Sequence, residues 1–154
     1  NKLISGMQIA IVSDAGTPSI SDPGFLLVRE CMKHNIETEC LPGPTAFLPA
    51  LVSSGFSCDR FIFEGFLPNK KGRTKRLKML VDYDMTFIIY ESPHRLLKTL
   101  KQLSELLGSD QLISVSREIS KIHEENKRGK IIEIINYFEL KKPKGEFVII
   151  VSKK

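Results

Sequence analysis

Residues Gln8 to Gly24 read QIAIVSDAGTPSISDPG. The opening run, Gln8 to Val12, is short, apolar and β-rich, and it gives way at once to a polar loop holding two Gly, two Pro and two Asp. That is the pattern of a buried strand ending in a turn. Asp22-Pro23 reads as a helix start, because an Asp cap can accept from free amides and Pro at the first helical position loses no hydrogen bond. Phe25, Val28 and Met32 follow at i, i+3, i+7 and predict one apolar helix face, ending near His34-Asn35. Ile36 to Leu41 predicts a second strand entering Pro42-Gly43-Pro44, and Thr45 can cap a short helix from Ala46 to Ser53 closed by Gly55. Strand, loop and helix repeated in this order predict a parallel α/β sheet, whose ligands sit at the carboxyl ends of strands.

The second half continues the alternation. Arg60 to Glu64, Thr86 to Tyr90, Gln111 to Ser116 and Glu146 to Ser152 read as strands, with helices near Gly72 to Val81, His94 to Leu107 and Lys130 to Phe138. Small and polar residues cluster at positions 54 to 59, where the charge also changes sign. Residues 1–59 carry a net −3 and residues 60–154 a net +8, giving the formal +5 of the chain. The expected division is therefore a first α/β domain over 1–55 and a second over 56–154. The basic second half suits an anionic partner, nucleic acid being the usual one, although a Lys-rich solvated surface gives the same balance.

Composition narrows the classes further. At 154 residues and 42% hydrophobic the chain can bury one full core or two small ones, which excludes disordered and fibrous classes. The longest apolar stretches are four or five residues, such as Phe147 to Val151, against the roughly 20 a bilayer-spanning helix needs. Cys31, Cys40 and Cys58 are odd in number and lack CxxC spacing, so no disulfide framework and no metal site is expected. They read as reduced thiols of a cytoplasmic protein. His123 with Glu124 and Glu125 reads as surface. The loop Ser13 to Gly24 is neither GxGxxG nor a Walker A sequence. Its Gly and Pro residues can bring backbone groups against a ligand, the competing reading being an ordinary strand-to-helix connection.

The strings VSDAGTPSISDPG, LPGPTAFLPALVSSGF, RFIFEGFLPNKKGR, IIYESPHRL, SREISKIHEE and KGEFVIIV, in this order, resemble the tetrapyrrole methylase superfamily. Within it they resemble the small-subunit ribosomal RNA (cytidine-2′-O)-methyltransferase family. The resemblance covers nearly the whole chain, starting inside the first domain, so the chain corresponds to roughly the C-terminal two-thirds of a family member. It implies two α/β domains, the first truncated with a parallel sheet and the second with a mixed sheet, and an S-adenosylmethionine site in a homodimer. Carried over by motif, Asp14, Ala15, Gly16 and Thr17 match the cofactor loop with Ile20 beside it, Thr45 and Ala46 match the segment after the PGP turn, and Glu91 follows a second-domain strand at the cleft. Asp14 replaces the Gly usual in the tetrapyrrole branch, which favours RNA over porphyrin or corrin substrates. Since the family's opening strand and loop have no counterpart here, weak or no cofactor binding is expected of this chain alone. Carbon methylation of a tetrapyrrole and non-catalytic RNA binding are the alternative functions.

Methyl transfer from a sulfonium is an in-line displacement, governed by near-attack geometry. A ribose hydroxyl is a weak nucleophile, and a base or positioned acceptor helps. The candidates are Glu91, His94 and Glu118, with Arg95 and Arg117 as partners for carboxylates or phosphates. The competing readings are a helix opening at Pro93-His94-Arg95 and an Arg117–Glu118 pair at a strand end. Lys70, Lys71, Arg73, Lys75, Arg76 and Lys78 place six cations within nine residues and form the expected ribosomal RNA contact surface, against the alternative of a solvated helix face. Phe61, Phe63 and Phe66 read as core residues rather than base-stacking ones, alternation putting Phe61 and Phe63 on one strand face.

Overall fold

Short β-branched and aromatic runs separated by amphipathic helices determine the architecture of the computed structural model, which describes residues 1–153. The helices are α1 (Phe25–Lys33), α2 (Phe47–Ser54), α3 (Arg73–Asp82), α4 (Leu96–Leu107) and α5 (Ile131–Leu140). The strands are β1 (Phe61–Phe66), β2 (Thr86–Glu91), β3 (Leu112–Arg117), β4 (Glu125–Lys130) and β5 (Phe147–Val151). The chain divides into two compact units, Asn1–Thr45 and the segment from Ala46 onward.

The second unit is a five-stranded sheet in the order β1-β2-β5-β3-β4. β1 runs parallel to β2, and every other neighbouring pair is antiparallel, so the sheet is mixed as expected. All five residues of β5 are buried, as befits the middle strand covered on both faces. Period-two alternation sends Phe87, Ile89, Phe147 and Ile149 into one core with Leu77, Leu80, Leu100 and Phe138 of α3, α4 and α5. Ile88, Val148 and Ile150 pack the other way, against Ala50 and Leu51 of α2. The result is a three-layer unit with α2 alone on its side. α2 thus belongs to this unit, whereas the sequence placed it before a boundary at residue 55. It begins at Phe47, with Ala46 rather than Thr45 at the cap, and Gly55 closes it in the left-handed conformation.

β4 was not legible in the sequence, because ENKRGK has no apolar alternation. It forms by laddering onto β3 along the whole of both strands, Leu112 opposite Lys130 through Arg117 opposite Glu125. A cationic strand is a suitable edge, since charge there discourages pairing with other chains.

In the first unit α1 is the only regular element among the described residues. The strands expected at Gln8–Val12 and Ile36–Leu41 carry no ladder, so the parallel sheet expected over 1–55 is not formed. Apolar β-rich sequence becomes a strand only when a neighbour satisfies its amides and carbonyls, and these two runs do not pair. The cap position of α1 is Gly24, two residues after the expected Asp22, at φ 147°, and no side-chain hydrogen bond caps the helix among the described residues. Phe25 and Met32 stay exposed, and Cys31 is the buried residue of the helix. No helix among the described residues is long and apolar enough to cross a membrane.

Leu100 is fully buried between the sheet and the helical layer. Leu100→Ala should lower the unfolding free energy of the second unit by about 2–5 kcal/mol in urea denaturation.

Candidate functional site

Within the first unit, the loop from Ser13 to Gly24 has four positions of positive φ: Gly16 (84°), Ser19 (72°), Ser21 (60°) and Gly24 (147°). Non-glycine residues in that region are strained by of order 1–3 kcal/mol, and such strain gathers at ligand-binding loops. A Cβ at Gly24 would overlap Ser19 Oγ, so only glycine closes the loop. Thr17 Oγ1 donates to the Pro44 carbonyl (3.1 Å), and a Cβ at Gly16 would sit 3.5 Å from that same oxygen. The Gly-rich loop and the Pro-Gly-Pro turn are therefore held against each other. Thr45 Oγ1 is buried without a hydrogen-bond partner. An open groove of about 670 Å³ runs along Ile11–Asp14 and Asp22–Leu27. Its lining combines apolar side chains with two carboxylates, Asp14 and Asp22, which could face the cationic end of a ligand. Ile20 is exposed beside the groove; Ala15 is exposed in the loop; Ala46 opens the second unit.

In the second unit Glu91 ends β2 at 1% exposure. Its Oε1 accepts from the Ser92 amide (2.8 Å) and Arg95 Nε (2.8 Å). Its Oε2 accepts from Thr99 Oγ1 (2.6 Å) and Arg73 Nη2 (3.3 Å). A carboxylate has about four acceptor positions, and all are taken here. Glu91 is arranged to hold two guanidinium groups and has no free lone pair for a substrate proton. Those groups reach onward. Arg73 donates to Gln102 Oε1 (3.0 Å) and to the Pro68 carbonyl (3.4 Å). Arg95 donates to the Leu67 carbonyl (3.1 Å) and to Asn69 Oδ1 (2.5 Å). The turn between β1 and α3 is thereby tied from beneath. Thr99, Gln102 and Asn69 were not singled out in the sequence. No local pattern marked them, because Glu91 ends β2 while Thr99 and Gln102 lie on α4 and Asn69 lies in the turn after β1, so their convergence depends on how these elements pack.

Glu118, φ 49°, lies just beyond β3 and accepts from the Glu146 amide (2.8 Å) and Lys121 Nζ (3.2 Å). The Glu146 amide holds its carboxyl below the ordinary glutamate range, against the opposing effect of burial and with help from Lys121. A Cβ at Gly145 would lie 2.6 Å from Glu118 Cγ and Cδ, so the chain approaches this carboxylate as closely as glycine permits. Arg117 pairs with Glu125 (3.8 Å) and the Lys144 carbonyl (2.6 Å), not with Glu118. His94 is exposed in the turn before α4 and makes no hydrogen bond among the described residues. The structure thus brings Glu91 and Arg95 together and leaves His94 and Glu118 outside that network.

The basic run divides. Arg73 points inward, its side chain 4% exposed, and is removed from the expected contact surface because Glu91 needs its charge. Arg76 pairs with Glu64 (2.6 Å). Lys70, Lys71, Lys75 and Lys78 are exposed and form no ion pair among the described residues. These four make the free cationic surface.

The model of the family described as Tetrapyrrole (Corrin/Porphyrin) Methylases matches residues 1–135. A protein of Thermotoga maritima named ribosomal RNA small subunit methyltransferase I is 47% identical over 99% of the chain and 68% of its own length. One of the same name from Synechocystis is 49% identical over 98% of the chain and 54% of its own length. The chain therefore spans between about half and two thirds of these relatives. Among solved structures, the methyltransferase CobJ superposes at TM-score 0.72 and 20% identity, over 99% of this chain and 67% of that one. A uroporphyrin-III C-methyltransferase of Thermus thermophilus complexed with S-adenosylhomocysteine gives 0.59 and 17%, over 88% and 62%. At these identities the structures establish the fold.

Breaking the Glu91 network from one side leaves a buried charge uncompensated. Glu91→Leu and Arg73→Met should each lower stability by about 3–5 kcal/mol in urea denaturation, and the double variant by less than the sum. Glu118 titrates lower in the folded state, so its contribution is complete above the unfolded value of about 4.3 and is lost as pH falls through the folded one. The stability difference between the wild type and Glu118→Gln should be flat near neutrality and shrink below about pH 4.3.

Proposed function

Because the chain belongs to the tetrapyrrole methylase family, beside relatives named ribosomal RNA small subunit methyltransferase I, we propose that it is part of an S-adenosylmethionine-dependent methyltransferase acting on ribosomal RNA. The finer reading is transfer to the 2′-hydroxyl of a cytidine. It includes a homodimer working in the cytoplasm. The observation that carries the proposal is the identity of 47–49% over almost the entire chain.

The site chemistry is consistent with it. Asp14, Ala15, Gly16, Thr17 and Ile20 would hold the cofactor, with Thr45 and Ala46 following the Pro-Gly-Pro turn, as the resemblance implies. The strained loop and the unpartnered Thr45 hydroxyl support this. When bound, S-adenosylmethionine supplies an electrophilic methyl group. The protein's own share is to hold the loop rigid and to offer Asp14 and Asp22 carboxylates to a cationic ligand. Among the three base candidates, His94 alone makes no hydrogen bond among the described residues, whereas both oxygens of Glu91 and Oε1 of Glu118 are engaged. His94 is therefore the residue we assign to accept the ribose proton. Lys70, Lys71, Lys75 and Lys78 would track the phosphates of the RNA.

Calorimetric titration of S-adenosylmethionine, into this chain and into a form extended N-terminally to the relatives' length, tests the proposal. Saturable binding by the extended form, weakened at least tenfold by Gly24→Ala, is the expected result. The absence of binding by both forms overturns the methyltransferase reading. In parallel, Lys75→Gln and Lys78→Gln should each reduce the slope of log K against log[salt] for unstructured RNA by roughly 0.7.

A further inference from the structure

β1 and β2 run in register from Phe61 opposite Thr86 to Phe63 opposite Ile88, and then the register shifts, with Gly65 opposite Ile89 and Phe66 opposite Tyr90. Gly65, at φ 69°, lies at the shift. One extra residue in a strand reverses the faces of everything beyond it. Simple alternation from Phe61 and Phe63 would put Phe66 on the opposite face. The shift puts it instead on the face of Phe63 and Tyr90.

There Phe66 closes a row of aromatic rings. Its ring stands edge-on to Tyr90 at 5.6 Å, Tyr90 stands edge-on to Phe63 at 5.1 Å, and Phe63 stacks on Phe47 at 4.5 Å. Tyr90 Oη is fixed by the Phe47 amide (3.2 Å). Yet Phe66 remains 52% exposed at the end of the row, a large apolar ring backed by rigid neighbours and open to solvent. The next residues are the turn whose carbonyls Arg73 and Arg95 hold, and that turn presents Lys70 and Lys71. The four Cα steps from Phe66 to Lys70 span at most roughly 14 Å.

We propose that Phe66 is a stacking platform for an unpaired base of a single-stranded RNA segment whose phosphates lie on Lys70, Lys71, Lys75 and Lys78. A flat, immobilised aromatic surface next to cations without acidic partners is the arrangement that binds single strands, stacking supplying base contact and the lysines backbone contact. Duplex RNA would present no free base face there. The inference rests on the RNA-substrate reading and makes it more specific: the recognised segment is unpaired. Phe66 positions the strand and takes no part in the chemistry.

The chain contains no Trp, so Phe66→Trp introduces a single fluorescent reporter at the platform. The probes are a short unstructured oligopyrimidine RNA and inorganic polyphosphate, which offers the charge without a base. Quenching of the Trp emission by the oligonucleotide and not by bound polyphosphate is the expected result. Oligonucleotide binding without quenching overturns the platform while leaving the RNA reading standing. No binding of either probe by the wild type overturns the RNA reading and the platform with it. A second series separates stacking from structural support and stands even if the Trp variant misfolds. With labelled oligonucleotide, Phe66→Tyr should bind like the wild type, and Phe66→Leu, which keeps the apolar cover, should lose roughly tenfold in affinity with an unchanged salt slope. Equal affinity of the Leu and Tyr variants overturns the proposal.

Discussion

A carboxylate removed from water is tolerated only when its charge is matched and its lone pairs are filled, and Glu91 imposes that condition on one end of the second unit. It sits at the end of a central strand, where burial is complete. Two guanidinium groups, a hydroxyl and an amide converge on it from α3, α4 and the intervening turn. Because Arg73 and Arg95 each have donors left over, satisfying Glu91 also fixes the carbonyls of Leu67 and Pro68. One desolvated charge thereby ties down the turn that carries Lys70 and Lys71. The bidentate reach of arginine makes this possible; lysine, a point charge, could neutralise Glu91 without tying down the turn.

The two units face different physical conditions. The second has a covered sheet, with α3, α4 and α5 on one face and α2 on the other, and nearly all its strand residues find partners. The first contains a well-formed helix and a strained Gly- and Pro-rich loop, while Ile9, Ile11, Val12 and Leu41 stay exposed. The loop keeps its shape through local devices: glycines where a Cβ would collide, and the Thr17–Pro44 hydrogen bond. Those devices do not require a sheet beneath them.

The charge asymmetry read from the chain overstates the number of cations left unpaired in the basic run. Of six cations in the run after Phe66, one neutralises a buried carboxylate and one pairs with Glu64. What remains exposed and outside any ion pair among the described residues is a set of four lysines, Lys70, Lys71, Lys75 and Lys78.

Much of the second unit could be read from local pattern. The helices α3, α4 and α5 and four of the five strands lie close to where periodicity put them, because a buried face leaves a period of 3.6 or 2 in the sequence. The loop Ser13 to Gly24 was legible for a similar reason, its glycines and prolines being local requirements of its backbone. The partners of a side chain were not legible. That Glu91 would be saturated, that Arg73 would turn inward, and that Phe66 would lie on the Tyr90 face depend on contacts across 4 to 26 residues and on a one-residue register shift. The same holds for strands: β4 formed from a polar sequence because β3 offered it a ladder, while Gln8–Val12, apolar and β-rich, formed none. Sequence fixes which faces of a segment prefer burial, a property of the residues themselves. Hydrogen-bond pairing and charge compensation are properties of neighbours, and only the tertiary structure decides which neighbours there are.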